Sequence, residues 1–68
     1  MKLHFDKKAD ALYLRLDDSK IIESEEISPG IVFDFNEHHQ VVAIEILNVK
    51  NRVPRPNFLD RILEEGEQ

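Results

Sequence analysis

The sequence contains no cysteine and no tryptophan, and it spends only two glycines and three prolines on 68 residues. Without cysteine, disulfide staples and thiolate-bound zinc are excluded, and so is a cysteine nucleophile. Two glycines, Gly30 and Gly66, cannot build a glycine-rich loop of the kind that wraps phosphate groups. None of Ser19, Ser24 and Ser28 stands in a Gly-x-Ser-x-Gly elbow. Catalysis is therefore not expected, and neither is a cofactor. Positive charge is also scarce: nine Lys and Arg against fourteen Asp and Glu give a net charge of −5. Lys50, Arg52 and Arg55 form the one local basic excess, so a nucleic-acid partner, which needs cations to neutralise phosphates, is not expected. No apolar run approaches membrane-spanning length, and Met1–Asp6 reaches charge before a signal-length stretch develops. These absences lead to the expectation of a cytoplasmic protein with no membrane partner.

What the chain does have is short alternating apolar runs. Leu3 and Phe5 alternate with Lys2 and His4, and Leu12, Leu14 and Leu16 alternate with Tyr13 and Arg15. Period-two alternation places one set on a buried sheet face and the other on the opposite face. Asp6 and Asp10 bracket the connection between these strands, where aspartate accepts nearby backbone N–H groups. Asp17–Lys20 is a four-residue polar stretch that fits a hairpin into the next strand. Ile21–Ile27 breaks simple alternation and carries Glu23, Glu25 and Glu26, which predicts an edge strand with a bulge near Glu25–Glu26. Ser28-Pro29-Gly30 predicts a type II turn, with proline presetting φ and glycine accepting a positive φ. Ile31, Phe33 and Phe35 then alternate with Val32 and Asp34, and Asn36–His39 turns the chain again. Val41–Leu47 is apolar on both faces except at Glu45, as in a central or an interface strand.

Residues 48–56 lose periodicity, and Pro54 and Pro56 predict an extended linker. Asn57 can cap a helix over residues 57–65, with Phe58, Leu59, Ile62 and Leu63 as an apolar stripe and Gly66 as its end. The expected architecture is α+β: one domain over residues 1–68, with a twisted antiparallel sheet of about five strands in a meander over 2–47, followed by one short C-terminal helix. A chain of this size buries only about 60% of the surface its unfolded form exposes. With disulfides and zinc excluded, self-association is the remaining staple, and a homodimer is the expected state.

Phe5-Asp6-Lys7-Lys8-Ala9-Asp10-Ala11-Leu12-Tyr13-Leu14, Glu23-Ser24-Glu25-Glu26, Pro29-Gly30 and Val42-Ala43-Ile44-Glu45-Ile46-Leu47 together resemble the family known as domain of unknown function 2283. The resemblance spans roughly residues 2–52. It implies a small β-rich prokaryotic protein with no established activity, and relatives encoded beside small toxin-like proteins make an antitoxin-type role a further alternative. Two positions depart from the pattern, Ala43 and His39, which stand where the family usually carries glycine.

A polar site is expected, if anywhere, among Asp6, Asp10, Tyr13, Arg15 and Glu45. Their carboxylates are oxygen ligands for a hard cation such as Mg²⁺ or Ca²⁺, and Arg15 and Glu45 can pair if their strands are neighbours. Turn-making by the aspartates is the plainer expectation. His4 lies in a strand and His38-His39 in a turn, which does not converge on a transition metal. Val41, Ala43, Leu47, Phe58, Leu59 and Ile62 are the candidate dimer interface. The functional expectation is a non-catalytic, homodimeric protein-interaction module, with another small protein as a further partner. The alternatives are a carboxylate-based metal or small-ligand binder and an antitoxin-like partner whose acidic stretch from Asp17 to Glu26 covers a basic toxin surface.

Overall fold

The computed structural model describes residues 1–53. The expected helix over 57–65, with Asn57, Phe58, Leu59, Ile62 and Leu63, and the prolines Pro54 and Pro56 lie outside the described residues. Five strands and one helical turn follow in order: β1 (Lys2–Asp6), β2 (Ala11–Arg15), β3 (Glu23–Ser28), β4 (Ile31–Phe35), β5 (Val41–Ile46) and α1 (Val49–Arg52). All neighbouring strands are antiparallel, so the α+β class expected from alternation is the one observed.

The strands run β1-β2-β5-β4-β3 across the sheet, not in the sequential order of a meander. Asp17–Lys20 accordingly is not a hairpin. Leu16 and Asp17 both donate their N–H groups to the Val42 carbonyl, and Ile22 donates to Phe35. The chain thus crosses the ends of β5 and β4 before turning back as β3. Burial explains the choice: β5, apolar on both faces, takes the central position, while the acidic β3, exposed along its whole length, takes an edge.

Register follows from the pairing. Leu3, Phe5, Leu12, Leu14, Ile31, Phe33, Ile44 and Ile46 share one face, opposite one another along β1/β2, β2/β5 and β4/β5. The other face carries Lys2, His4, Tyr13, Arg15, Val32, Asp34, Ala43 and Glu45, joined by Ser24 and Glu26 of β3. The β3 register shifts between Glu26 and Ser28, making Ile27 the extra residue of the bulge, one or two positions from where alternation failed in the sequence. A second shift lies at Phe35, which pairs with Val41 while Asp34 pairs with Ala43. Among the described residues the fully enclosed apolar core is small: Phe35, Val42, Ala43 and Val49. The eight apolar side chains of the first face are half-buried.

One segment departs from its expectation of extended chain. Val49–Arg52 winds one helical turn because Asp10 supplies acceptors for its first N–H groups: the Asp10 carbonyl takes Val49 N–H at 3.2 Å and its carboxylate takes Lys50 N–H at 3.1 Å. Asn48, the residue before this turn, caps nothing with its own side chain. The residue that does the capping lies far upstream in sequence, a relation that local pattern does not reveal.

Candidate functional site

Asp6 and Asp10 hold the β1–β2 connection. Asp6 Oδ1 accepts Lys8 N–H at 3.0 Å and Ala9 N–H at 3.1 Å, the local bonding that aspartate makes in turns. Asp10 adopts a left-handed φ of 52° and reaches across to α1. Both carboxylates are therefore engaged by backbone donors. Among the described residues no group of three or more His, Asp and Glu side chains is placed to hold a metal ion.

The opposite end of the same edge of the fold is tied by Arg52. Its guanidinium donates to the Leu47 carbonyl at 2.6 Å and to the Pro29 carbonyl, lying directly over Gly30. Gly30 has φ 79°, as the second central position of a type II turn requires, and its carbonyl accepts Leu47 N–H. Pro29-Gly30, Leu47 and α1 are thus locked into one corner.

On the polar face, β2 and β5 are neighbours, so the condition for an Arg15–Glu45 pair is met, yet the pair does not form. Register places Tyr13 opposite Glu45 and Arg15 opposite Ala43. Arg15 instead donates to Tyr13 Oη at 3.2 Å, to the Asp17 carbonyl at 2.6 Å and to the Ser19 carbonyl at 2.5 Å. The guanidinium is a clasp on the crossing loop. Asp17 turns its own carboxylate to the Ser19 N–H and hydroxyl, which hold its pKa below the ordinary value.

Glu45 has a different companion, Asp34, which the strand pattern did not single out. Asp34 is only 3% exposed and accepts the Ser24 hydroxyl at 2.5 Å. Glu45, on the same face one strand over, has its pKa raised, first by burial and then by a hydrogen bond to Asp34 and the charge of that carboxylate. Both effects favour the neutral form of the Glu45 carboxyl. The only sequence signal was an aspartate at a position facing the same way as Val32 in an otherwise apolar strand.

A pH prediction follows. Glu45 has a folded-state pKa above its ordinary 4.5, so the folded state holds this proton more tightly than the unfolded state does. Its contribution to stability is present below pH 4.5 and is lost as pH rises through the raised value. Glu45→Gln keeps an N–H donor toward Asp34 at every pH. Urea midpoints measured from pH 4 to pH 8 should therefore fall more with pH for the wild type than for Glu45→Gln, and parallel curves for the two would exclude a raised Glu45 pKa.

Of the candidate interface residues, Val41 and Leu47 are half-buried. Ala43 is fully buried between Arg15 and Asp34 in the register, so it offers no side-chain surface to a second copy. It also lies outside the positive-φ residues, so alanine fits where glycine was the expected family residue. His39 does occupy a left-handed position, φ 58°, and recovers contact by stacking on Phe35 at 4.6 Å. Asn36 holds the same turn, accepting the His38 and Gln40 N–H groups at 3.0 Å. A shallow cleft of about 310 Å³ opens beside it, lined by Ser19, Lys20, Ile22, Asn36, Glu37 and His38, and none of the candidate polar residues enters it.

Among the described residues no helix is long and apolar enough to cross a membrane. The sequence model of the family described as "Protein of unknown function (DUF2283)" matches residues 2–50, and the chain belongs to that family. The matched span covers all five strands and the first residues of α1. No curated protein and no solved structure matches the chain.

Proposed function

We propose that this member of the family is a non-catalytic protein-interaction module that works as a homodimer in the cytoplasm. One observation carries the reading: among the described residues the enclosed apolar core of the sheet comes to four residues, while eight apolar side chains on one face stay half-buried. Folding must offset roughly 1–2 kcal/mol of backbone entropy per residue, and a core this small leaves little surplus. A second copy adds burial without adding chain.

The polar groups support a non-catalytic role by the work they already do. Asp6, Asp10, Arg15, Asp17 and Asn36 each hold backbone groups of turns or of the crossing loop. A metal or small-ligand role at Asp6, Asp10 and Glu45 gains no support from an arrangement in which two of the three are occupied by backbone N–H groups.

Linkage gives the test. If the dimer is the folded species, each tenfold rise in protein concentration adds about 1.4 kcal/mol of apparent stability, and the unfolding midpoint climbs with concentration. A midpoint constant from 1 to 100 times the starting concentration would defeat the proposal.

A further inference from the structure

β1 is an outer strand, and the direction of its backbone groups can be read from two bonds elsewhere in the sheet. Leu16 N–H donates to the Val42 carbonyl and Leu47 N–H to the Gly30 carbonyl, each at 2.8 Å. In an antiparallel ladder the N–H and C=O of one residue point the same way and alternate side from residue to residue. Both bonds therefore require Leu12 and Leu14 to face Ile46 and Ile44 on β5, and Tyr13 and Arg15 to face His4 and Lys2 on β1. Leu3 and Phe5 are left with N–H and C=O directed away from the sheet.

We propose that this edge, which has no strand partner among the described residues, pairs with the same edge of a second copy, antiparallel, about a two-fold axis passing beside His4. The inference rests on the homodimer reading and states where the copies meet. In this register Leu3 lies opposite Phe5 of the second copy, and these are the residues whose outward backbone groups have no partner among the described residues, so each exchanges two hydrogen bonds across the axis. Their side chains lie on the apolar face, so the two faces join without a break. On the polar face Lys2 comes opposite Asp6 of the second copy, a pairing of opposite charges made twice by symmetry. Asp6 Oδ1 already takes the Lys8 and Ala9 N–H groups, which leaves Oδ2 for the ammonium. The other outer strand resists the same use. β3 carries Glu23, Glu25 and Glu26 exposed, and pairing it with itself would set like charges against each other.

At the axis the two His4 residues form a non-hydrogen-bonded pair, in which Cα atoms stand about 4.5 Å apart, within the span a disulfide bridges. The chain has no cysteine of its own. His4→Cys in the full chain should therefore give a covalent dimer in near-quantitative yield under oxidised glutathione, seen on a non-reducing gel. Lys2→Cys should not, because the two sites lie roughly 14 Å apart along the paired strands. Leu3→Pro removes an N–H that points away from β2, so the β1/β2 ladder survives while the dimer weakens roughly tenfold or more with an unchanged circular dichroism spectrum. A dimer of normal affinity that neither links through His4→Cys nor weakens with Leu3→Pro overturns this edge and leaves the homodimer standing. A wild-type monomer overturns both.

Discussion

Phe35→Ala is expected to abolish cooperative unfolding at room temperature. Phe35 is 7% exposed, stacks on His39 at 4.6 Å and meets Phe33 edge-on at 6.5 Å, so it anchors both the core and the β4–β5 turn. Removing a buried phenyl ring costs about 3–5 kcal/mol, counting lost transfer energy and the cavity left behind. A domain of this length holds roughly 3–10 kcal/mol in total. The loss is thus comparable with the whole stability, and among the described residues few other side chains are enclosed well enough to compensate. Phe35→Leu keeps most of the volume and should remain folded with a lowered midpoint. Urea titration followed by circular dichroism distinguishes the two, and a Phe35→Ala chain that unfolds cooperatively near the wild-type midpoint would show that the core lies elsewhere.

Gly30→Ala is the second large effect, about 3–4 kcal/mol, and it arises from backbone and contact together. The φ of 79° is outside the range that alanine adopts freely, at a cost of about 1–2 kcal/mol. A methyl group there also overlaps the Arg52 guanidinium. That end of the arginine can swing away, but doing so gives up its bonds to the Pro29 and Leu47 carbonyls, each a charge-assisted contact worth about 1 kcal/mol or more. Arg52→Ala should remove the bonding share while leaving the turn unstrained. The double variant should then lose less than the sum of the two single losses, because both substitutions disturb the same contact. Strict additivity in the cycle would mean that Arg52 does not hold this turn.

The strands were legible because period-two alternation and turn residues are local properties. Leu12-Tyr13-Leu14, Ile31-Val32-Phe33 and Pro29-Gly30 each carry their signal within a few residues, and each sits in the structure where that signal put it. Strand order was not legible in the same way. Asp17–Lys20 has the composition of a hairpin, yet the choice between pairing β2 with β3 or with β5 depends on which strand gains more from a central position, a comparison between distant segments. Asn48–Arg52 failed for a related reason: the acceptors that start its helical turn come from Asp10, on the far side of the sequence. The polar residues followed the same division. Turn-making by Asp6 was readable from its spacing to Lys8 and Ala9, whereas the Asp34–Glu45 contact and the Arg15 clasp required the register of β2, β4 and β5 to be fixed first.

The strand order among the described residues also gives the outer edge of β1 its meaning. Among the described residues the sheet has one acidic, exposed border and one border where the Leu3 and Phe5 backbone groups point outward, so the second border is the one the proposed pairing uses. The same residues contribute apolar side chains to the half-buried face, so backbone pairing and apolar burial act at one location.

Sedimentation equilibrium on the intact chain at micromolar concentration tests the central claim most directly. The predicted result is a single species at twice the 8.0 kDa chain mass, dissociating on dilution as its unfolding midpoint falls. A species that stays at the mass of one chain throughout, folded and equally stable at every dilution, would contradict it.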